Sequence, residues 1–402
     1  MRLLLAALLV SLAACSSNDK KDQDIGPNAL TGFDKEISLT TQWRGQVGDG
    51  LGSAFARLQP ALKNDVLYAA SANGVIQALA LDNGSVIWEQ NFDAEVTAAV
   101  AVGNSNGYFA TSNGELVAFD LTDGAEVWRA NVKSEILSVP VEEQGLVAAQ
   151  TIDGHLYVID AKTGSISWGF DSNLPSLSLR GTSAPVFKDN AVIAGFANGK
   201  VVAIDKADGT LLWQERIGVP AGRSELERLV DIDGSLLVAD NLLYVCGYQG
   251  HMAAIDLNSG KMVWKREASS YHGPAAGLGN LYIVNANDHI EAVDDRSASD
   301  VWQQVALKGR QLSEPVLFAN HIAVADYEGY IHLVKQLDGT IVGRDKVTRP
   351  ALDWVRTGSY AMRHPSRMFS HDPGIRTRLM ATNDKLVAIN NSGFVTVYSL
   401  DR

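Results

Sequence analysis

The amino-acid sequence predicts an all-β fold, an eight-bladed β-propeller built of four-stranded blades. Three observations predict it. A unit of one pattern recurs along the chain, the unit alternates apolar and polar residues as a strand does, and the two chain ends carry complementary parts of one further unit. Together they indicate a ring of repeated β-sheets that its own ends close.

The repeated unit carries a tryptophan fourteen residues after a glycine or the residue equivalent to it. Its pattern is NGxLxAxDxxxGxxxW, as in NGELVAFDLTDGAEVW, and a seventh copy has Gly343 in place of the tryptophan. A spacing of 38 to 51 residues between tryptophans fits one four-stranded blade. The six repeated tryptophans are Trp88, Trp128, Trp168, Trp213, Trp264 and Trp302.

Within each unit, strand and turn signals follow one another in a fixed order. The positions two and four residues after the glycine are apolar in every copy, which is strand periodicity. An aspartate and a second glycine follow, and glycine takes the positive φ of a tight turn at low steric cost. Because these aspartates recur once per blade, we interpret them as turn residues and not as one metal site. They include Asp120, Asp160, Asp205 and Asp256.

The chain ends predict how the ring closes. An eighth unit starts at Gly393, and the chain stops at Arg402 before a fourth strand could form. A strand-like segment around Trp43, ISLTTQWRG, stands at the other end of the chain. We therefore expect the N-terminal strand to complete the last blade and remove its free edge, with a seven-bladed ring as the alternative.

The N-terminal residues 1–14 predict a lipoprotein signal peptide. Arg2 precedes an apolar region that is too short to span a bilayer, and Leu-Ala-Ala-Cys then matches a lipobox. Cys15 is therefore the expected lipidation site, and Ser16 in place of aspartate favours the outer membrane. We interpret residues 15–36 as a lipidated flexible tether and 37–402 as one propeller domain.

Composition limits the classes of partner and chemistry. The formal charge of −12, without a lysine-rich tract, argues against nucleic acid as a partner. Besides Cys15 there is one cysteine, Cys246, so the mature chain can form no internal disulfide, and its apolar surroundings predict a buried thiol. The sequence contains no HExxH or GxGxxG pattern. We expect no metal, no cofactor and no catalysis.

Two enlarged loops predict a partner-binding surface. The gap from a tryptophan to the next repeat glycine is 26 residues in two early blades, but 31 after Trp168 and 37 after Trp213. The extra residues fit best just after the tryptophan strands, on one face of adjacent blades. The predicted contact residues are Leu177, Leu179, Arg180, Asp231 and Asp233. The alternative is that the carboxylates only pair with the arginine and stiffen the loops.

A second insertion lies between Gly343 and Gly393 and is rich in basic residues. It could face an anionic lipid or an acidic partner, or it could be a solvated loop. Its basic residues are Arg349, Arg356, Arg363, His364, Arg367, His371, Arg376 and Arg378.

The repeat resembles that of the pyrroloquinoline-quinone-type propellers over residues 37–402. The lipobox and the segments VGDGLGSAFARLQPAL, PSLSLRGTSAPV and SELERLVDIDG are similar, more narrowly, to the BamB family of the outer-membrane β-barrel assembly (BAM) machinery. This resemblance implies a lipid-anchored scaffold on the periplasmic face of the outer membrane. Its expected partner is the periplasmic part of BamA, bound through the five loop residues, in support of β-barrel insertion; direct contact with nascent outer-membrane proteins stays open.

The alternative function is a periplasmic quinone-dependent dehydrogenase on the same fold. Enzymes of that branch resemble this chain in the repeat, but they often stack the quinone on a disulfide of adjacent cysteines and hold Ca²⁺ with carboxylates. No two cysteines are adjacent here. The resemblance therefore favours the scaffold over the enzyme.

Overall fold

A computed structural model describes residues 26–52, 57–175, 177–179, 181–224, 226–348 and 372–401. The predicted signal peptide, Cys15, Arg180 and most of the basic insertion lie outside the described residues. The described residues form 32 strands in eight antiparallel sheets of four, with no α-helix among them. The predicted all-β, eight-bladed propeller is confirmed.

Blades 1 to 4 take their strands consecutively from the chain. Blade 1 contains β2 (Ala61–Lys63), β3 (Val66–Ala70), β4 (Val75–Ala80) and β5 (Val86–Asn91). Blade 2 contains β6 (Val96–Val102), β7 (Asn106–Thr111), β8 (Glu115–Asp120) and β9 (Glu126–Asn131). Blade 3 contains β10 (Val141–Glu143), β11 (Leu146–Gln150), β12 (His155–Asp160) and β13 (Ile166–Asp171). Blade 4 contains β14 (Val186–Lys188), β15 (Ala191–Gly195), β16 (Lys200–Asp205) and β17 (Leu211–Arg216).

Blades 5 to 7 continue in the same way, and blade 8 uses both chain ends. Blade 5 contains β18 (Leu237–Ala239), β19 (Leu242–Cys246), β20 (Gly250–Asp256) and β21 (Met262–Ala268). Blade 6 contains β22 (Ala275–Gly277), β23 (Asn280–Val284), β24 (Ile290–Asp294) and β25 (Asp300–Gln304). Blade 7 contains β26 (Val316–Phe318), β27 (His321–Ala325), β28 (Tyr330–Lys335) and β29 (Ile341–Lys346). Blade 8 contains β30 (Met380–Ala381), β31 (Lys385–Ile389), β32 (Phe394–Leu400) and β1 (Leu39–Gln46).

The N-terminal strand closes the ring as predicted. Strand β1 pairs antiparallel with β32, from Leu39 opposite Leu400 to Gln46 opposite Phe394, and is the outermost strand of blade 8. The last blade is thus built from both ends of the chain. Closure of this kind leaves no blade short of a strand.

Antiparallel pairing sorts the loops onto two faces. Each blade runs from a short inner strand to an outer strand, and the chain then crosses to the inner strand of the next blade. These crossings share a face with the turns between second and third strands, and we call it the connection face. The remaining turns lie on the opposite face.

Tryptophans hold neighbouring blades together. The indole Nε1 of Trp128 donates to the carbonyl of Ala161 in the next blade at 2.9 Å, and Trp43 donates to Leu81 at 2.7 Å. A Cβ on Gly164 would lie 2.8 Å from the ring of Trp128, so the turn glycine also makes room for the indole. Five further tryptophans donate to the next blade in the same way: Trp88, Trp168, Trp213, Trp264 and Trp302.

The repeated aspartates are turn residues, as interpreted from the sequence. Asp160 accepts hydrogen bonds from the backbone N–H and the hydroxyl of Thr163, both at 2.8 Å, and these bonds lower the pKa of its carboxyl. Asp256 accepts the same pair of bonds from Ser259.

The predicted buried thiol is also confirmed, because Cys246 is 2% exposed and burial raises its pKa.

The predicted tether differs from the structure over its described part. Residues 28–36 lie against blade 7, where Leu30 and Phe33 pack on the apolar cluster between blades 6 and 7. Two apolar side chains in a polar segment are enough to dock it. The prediction of a free tether up to residue 36 therefore needs correction from residue 28 onwards.

Within the described residues, no helix could cross a membrane.

Candidate partner-binding site

The two enlarged connections lie where the sequence places them, directly after tryptophan strands. Residues 172–185 join blade 3 to blade 4, and residues 217–236 join blade 4 to blade 5. The equivalent crossing from blade 1 to blade 2 takes only residues 92–95. Both long connections cross the connection face on adjacent blades, so they can form one continuous surface.

The structure brings the two connections into contact. The backbone N–H of Leu179 donates to Oδ2 of Asp231 at 3.1 Å. A Cβ on Gly181 would lie 2.7 Å from the carboxyl carbon of Asp233, so the first connection approaches the second at a residue without a side chain. Four of the five predicted residues are described, and these contacts bring three of them, Leu179, Asp231 and Asp233, close together.

Asp231 is buried, which corrects the prediction that it is a surface contact residue. Its residue is 2% exposed, its Oδ1 accepts the N–H of Ile232 at 2.9 Å, and its carbonyl accepts the N–H of Tyr248 at 2.8 Å. Burial, with the Asp233 carboxyl beside it, raises the pKa of Asp231. Asp233 is half-buried with a pKa that burial also raises. The Asp231 carboxyl binds the first connection at Leu179, and the Asp233 carboxyl packs against it at Gly181.

The outer surface of the site exposes several apolar side chains. Leu177 is 42% exposed and Leu179 is half-buried, while the predicted contact residue between them and Gly181, Arg180, lies outside the described residues. Two further side chains, Val219 at 58% and Leu226 at 67% exposure, belong to the second connection and were not predicted as contacts. The sequence signal for Leu226 is the amphipathic run SELERLV. Leu226 stands there among charged residues, whereas Leu229 and Val230 form the buried side of the run.

Leu226 is presented by a turn that holds its own shape. The carboxylate of Glu227 accepts the backbone N–H groups of Arg223 at 2.6 Å and Ser224 at 3.2 Å, and these bonds lower its pKa. The hydroxyl of Ser224 accepts the N–H of Glu227 in return, at 3.2 Å. This reciprocal pairing is the capping-box arrangement. A preorganised apolar side chain loses little conformational entropy on binding.

A buried histidine lies next to the second connection, at the start of blade 6. A Cβ on Gly234 would lie 2.4 Å from the backbone of His272, which is 8% exposed. Burial, and then the positive charge of Arg57, lower the pKa of His272 to about 4, although Glu314 opposes the shift. The imidazole is therefore neutral in the folded protein near neutral pH.

This histidine predicts acid lability with a defined sign. Below about pH 6.5 the unfolded chain binds a proton at His272 that the folded chain refuses, so the free energy of unfolding falls as pH falls towards about 4. At about 1.4 kcal/mol per pH unit, the loss between pH 7 and 5 is roughly 2 kcal/mol. The raised pKa of Asp231 acts in the opposite direction, so the loss due to His272 is measured as the difference between the unmodified chain and His272→Asn in denaturant titrations at both pH values. An unchanged loss in that variant would contradict the assignment.

The described residues contain no cluster of metal-binding side chains, since no group of three or more His, Cys, Asp or Glu among them could hold a metal ion. Arg376 and Arg378, the described part of the basic insertion, make contacts inside the protein: Arg376 donates to the Gly52 carbonyl at 3.2 Å, and Arg378 pairs with Glu314 at 3.1 Å.

The chain is similar in sequence to a family of known proteins. A family model described as outer membrane protein assembly factor BamB matches residues 72–304. The chain is 46% identical to outer membrane protein assembly factor BamB of Pseudomonas aeruginosa over 85% of its length and 90% of that protein. It is 31% identical to the Escherichia coli protein of the same name, over 100% of this chain and 99% of that one.

Solved structures agree on the fold. The crystal structure of BamB from Moraxella catarrhalis matches with a TM-score of 0.78 at 25% identity, over 90% of this chain and 99% of that chain. A quinohemoprotein alcohol dehydrogenase from Comamonas testosteroni matches with a TM-score of 0.68 at 13% identity, over 90% of this chain and 76% of the enzyme. At that identity, the second likeness shows a shared propeller fold alone.

Proposed function

Because the chain belongs to the BamB family of outer membrane protein assembly factors, we propose that it is a non-enzymatic scaffold subunit of the assembly complex that binds BamA. One observation carries the choice of surface: two long connections meet on one face and expose apolar side chains that the blade core does not need. Exposed apolar residues above a fixed framework are typical anchors of protein interfaces.

Within this site, the residues divide into two roles. Leu177, Leu179 and Arg180 are proposed as contacts to the periplasmic domains of BamA. Asp231 and Asp233 are proposed as positioning residues, because a carboxyl that accepts the N–H of Leu179 orients the connection and is itself buried. Truncating Asp231 should therefore lower both stability and binding, whereas truncating Leu177 should lower binding alone.

The enzymatic alternative finds less support. The named relatives at 46% and 31% identity are assembly factors, and the quinohemoprotein enzyme shares only the fold. The outer-membrane association implied by those names agrees with the predicted lipobox. Nascent outer-membrane proteins are a further proposed class of partner, since the complex handles them.

The proposed function is tested by affinity isolation of the tagged full-length chain from detergent-solubilised membranes, with identification of the bound proteins. BamA should be recovered with the unmodified chain, and Arg180→Ala should reduce its recovery while the melting temperature stays the same. Recovery of no assembly-complex subunit would overturn the scaffold proposal. Reduced recovery that merely follows a lower melting temperature would instead assign Arg180 a structural role.

The proposed lipid anchor makes a separate prediction. Cys15→Ala should remove the thiol that takes the lipid, because the lipobox has no other cysteine nearby. Growth with radiolabelled palmitate should label the unmodified chain and leave the variant unlabelled in a soluble periplasmic or precursor form. Label retained by Cys15→Ala would place the acyl chain elsewhere.

A further inference from the structure

The described N-terminal segment has a docking site of its own on the propeller. Residues 28–37, which we call the strap, run along the outer edge of blade 7 from the connection face to the opposite face. At one end the N–H of Asn28 donates to the Lys308 carbonyl at 2.9 Å. At the other end the N–H of Glu36 donates to the Val342 carbonyl at 2.9 Å. The strap is therefore fixed at both ends by backbone bonds.

Two arginines of the propeller bind the strap, one at its first residue and one in its middle. Arg310, which is 2% exposed, donates Nη1 to the carbonyl of Asn28 at 3.0 Å. Arg344 donates Nη1 to the carbonyl of Thr31 at 3.0 Å, and its guanidinium lies 4.7 Å from the centre of the Phe33 ring. Arg310 also pairs with Asp326, Nε to Oδ2 at 2.8 Å, and with Glu328, so these carboxylates balance its charge and fix the N–H group that reaches the strap carbonyl.

The outer strand of blade 7 is shaped for the strap. The residue before the tryptophan position is exposed in the other blades where it is large and apolar, but Val342 is 0% exposed beneath the strap. A Cβ on Gly343 would lie 3.1 Å from the side chain of Leu333 and 3.2 Å from the Ile37 carbonyl, so there is little room for a side chain where the seven other blades have tryptophan. The exposed counterparts of Val342 are Ile87 at 51%, Val127 at 46%, Leu212 at 45%, Val263 at 54% and Val301 at 46%.

We propose that the strap fixes the point at which the lipidated segment leaves the propeller, and thereby turns the connection face towards the lipid bilayer. The chain leaves the strap at Gly26, whose carbonyl lies near Gly309 in the crossing from blade 6 to blade 7. Ten residues lie between Cys15 and Gly26, and a fully extended chain over that stretch reaches roughly 40 Å at most. The inference rests on the proposed lipidation of Cys15.

The consequence concerns the partner loops. Residues 172–185 and 217–236 cross the same face from which the anchored segment departs. A docked strap therefore holds these loops on the membrane side of the propeller. If residues 26–37 were undocked, the tether would double in length and the propeller could turn freely beneath the membrane.

The test uses the lipidated full-length chain on phospholipid vesicles with an acceptor dye on the lipid headgroups. A donor dye is attached to Asn287→Cys, on the connection face of blade 6, or to Leu278→Cys, on the opposite face of the same blade; both positions are exposed. Cys246 is buried and does not compete for the dye. Energy transfer should be stronger from Asn287→Cys, and equal transfer from both positions would overturn the proposal.

Two variants release the strap by independent means, so that one failure to fold does not decide the result. Leu30→Ser with Phe33→Ser removes its apolar contacts, and Gly343→Trp fills the space beneath it. Hydrogen exchange at Glu36 and Ile37 should become about tenfold faster or more in a released strap. The difference in energy transfer between the two faces should then disappear. Its persistence after release would contradict the positioning role.

The outcomes separate the inference from the function on which it rests. An unmodified chain that fails to attach to vesicles contradicts the lipid anchor, and the inference fails with it. Attachment with equal transfer from both faces contradicts the strap's role alone. Recovery of BamA from detergent does not depend on the bilayer, so strap release should leave that recovery unchanged whenever the proposed function holds.

Discussion

Replacing Trp128 with alanine is expected to lower the free energy of unfolding by about 3–5 kcal/mol. The indole fills the joint between blades 2 and 3, packs on Tyr108 and Gly164, and donates to the Ala161 carbonyl at 2.9 Å. Truncation therefore leaves a cavity and removes one of the two hydrogen bonds to the Ala161 carbonyl, which also accepts Nδ2 of Asn106 at 3.3 Å. Equilibrium denaturation with guanidinium chloride measures the loss.

A conservative variant separates packing from hydrogen bonding at the same joint. Trp128→Phe keeps most of the apolar contact and loses the indole N–H, so its expected cost is smaller, about 1–2 kcal/mol. The exposed residue next to it, Val127, gives a matched control, since Val127→Ala should change stability by only about 0.5 kcal/mol. A loss below about 1 kcal/mol for Trp128→Ala would show that the tryptophans do not hold the blades together.

Placing a carboxylate at the apolar surface of the partner site is expected to weaken BamA binding strongly. Leu177→Asp and Leu226→Asp each put a charge where the proposed interface would exclude water. Loss of a central anchor costs about 2 kcal/mol or more, which is roughly a thirtyfold rise in Kd. Titration of the purified periplasmic part of BamA with each variant measures the change.

The chain offers a matched control for this substitution. Leu337 is 79% exposed in the turn between β28 and β29, on the opposite face of the propeller. Leu337→Asp changes net charge and surface hydrophobicity by the same amount as the loop variants, and it should leave the affinity for BamA unchanged. Equal weakening by all three variants would mean that general charge, and not this surface, governs the association.

The repeat made the fold predictable because one residue type performs one task in most of the blades. A tryptophan at a fixed offset donates to the next blade, and a glycine at a fixed offset admits its ring. The half-unit at Gly393 and the strand around Trp43 likewise predicted the closed ring, and β1 pairs with β32 as expected. Such regularities are visible in a sequence because they are periodic.

Depth and long-range docking were not predictable in the same way. Asp231 lies in a connection between blades and is nevertheless buried. Its hydrogen-bond partners include Leu179 and Tyr248, which lie elsewhere in the chain, so its burial could not be predicted from its neighbours in the sequence. The strap resembled a polar linker, because its partners Arg310 and Arg344 are about three hundred residues away in the chain. Gly343 was visible as an exception to the repeat, but its reason lies in the backbone that passes over it.

We propose above that the connection face of blades 3 to 5 binds the periplasmic domains of BamA. A photo-reactive amino acid at position 177, irradiated in intact cells, tests it most directly, with the same residue at position 337 as the control on the opposite face. The account predicts an adduct with BamA from position 177 and none from position 337. No BamA adduct from position 177, or an equal adduct from position 337, would contradict it.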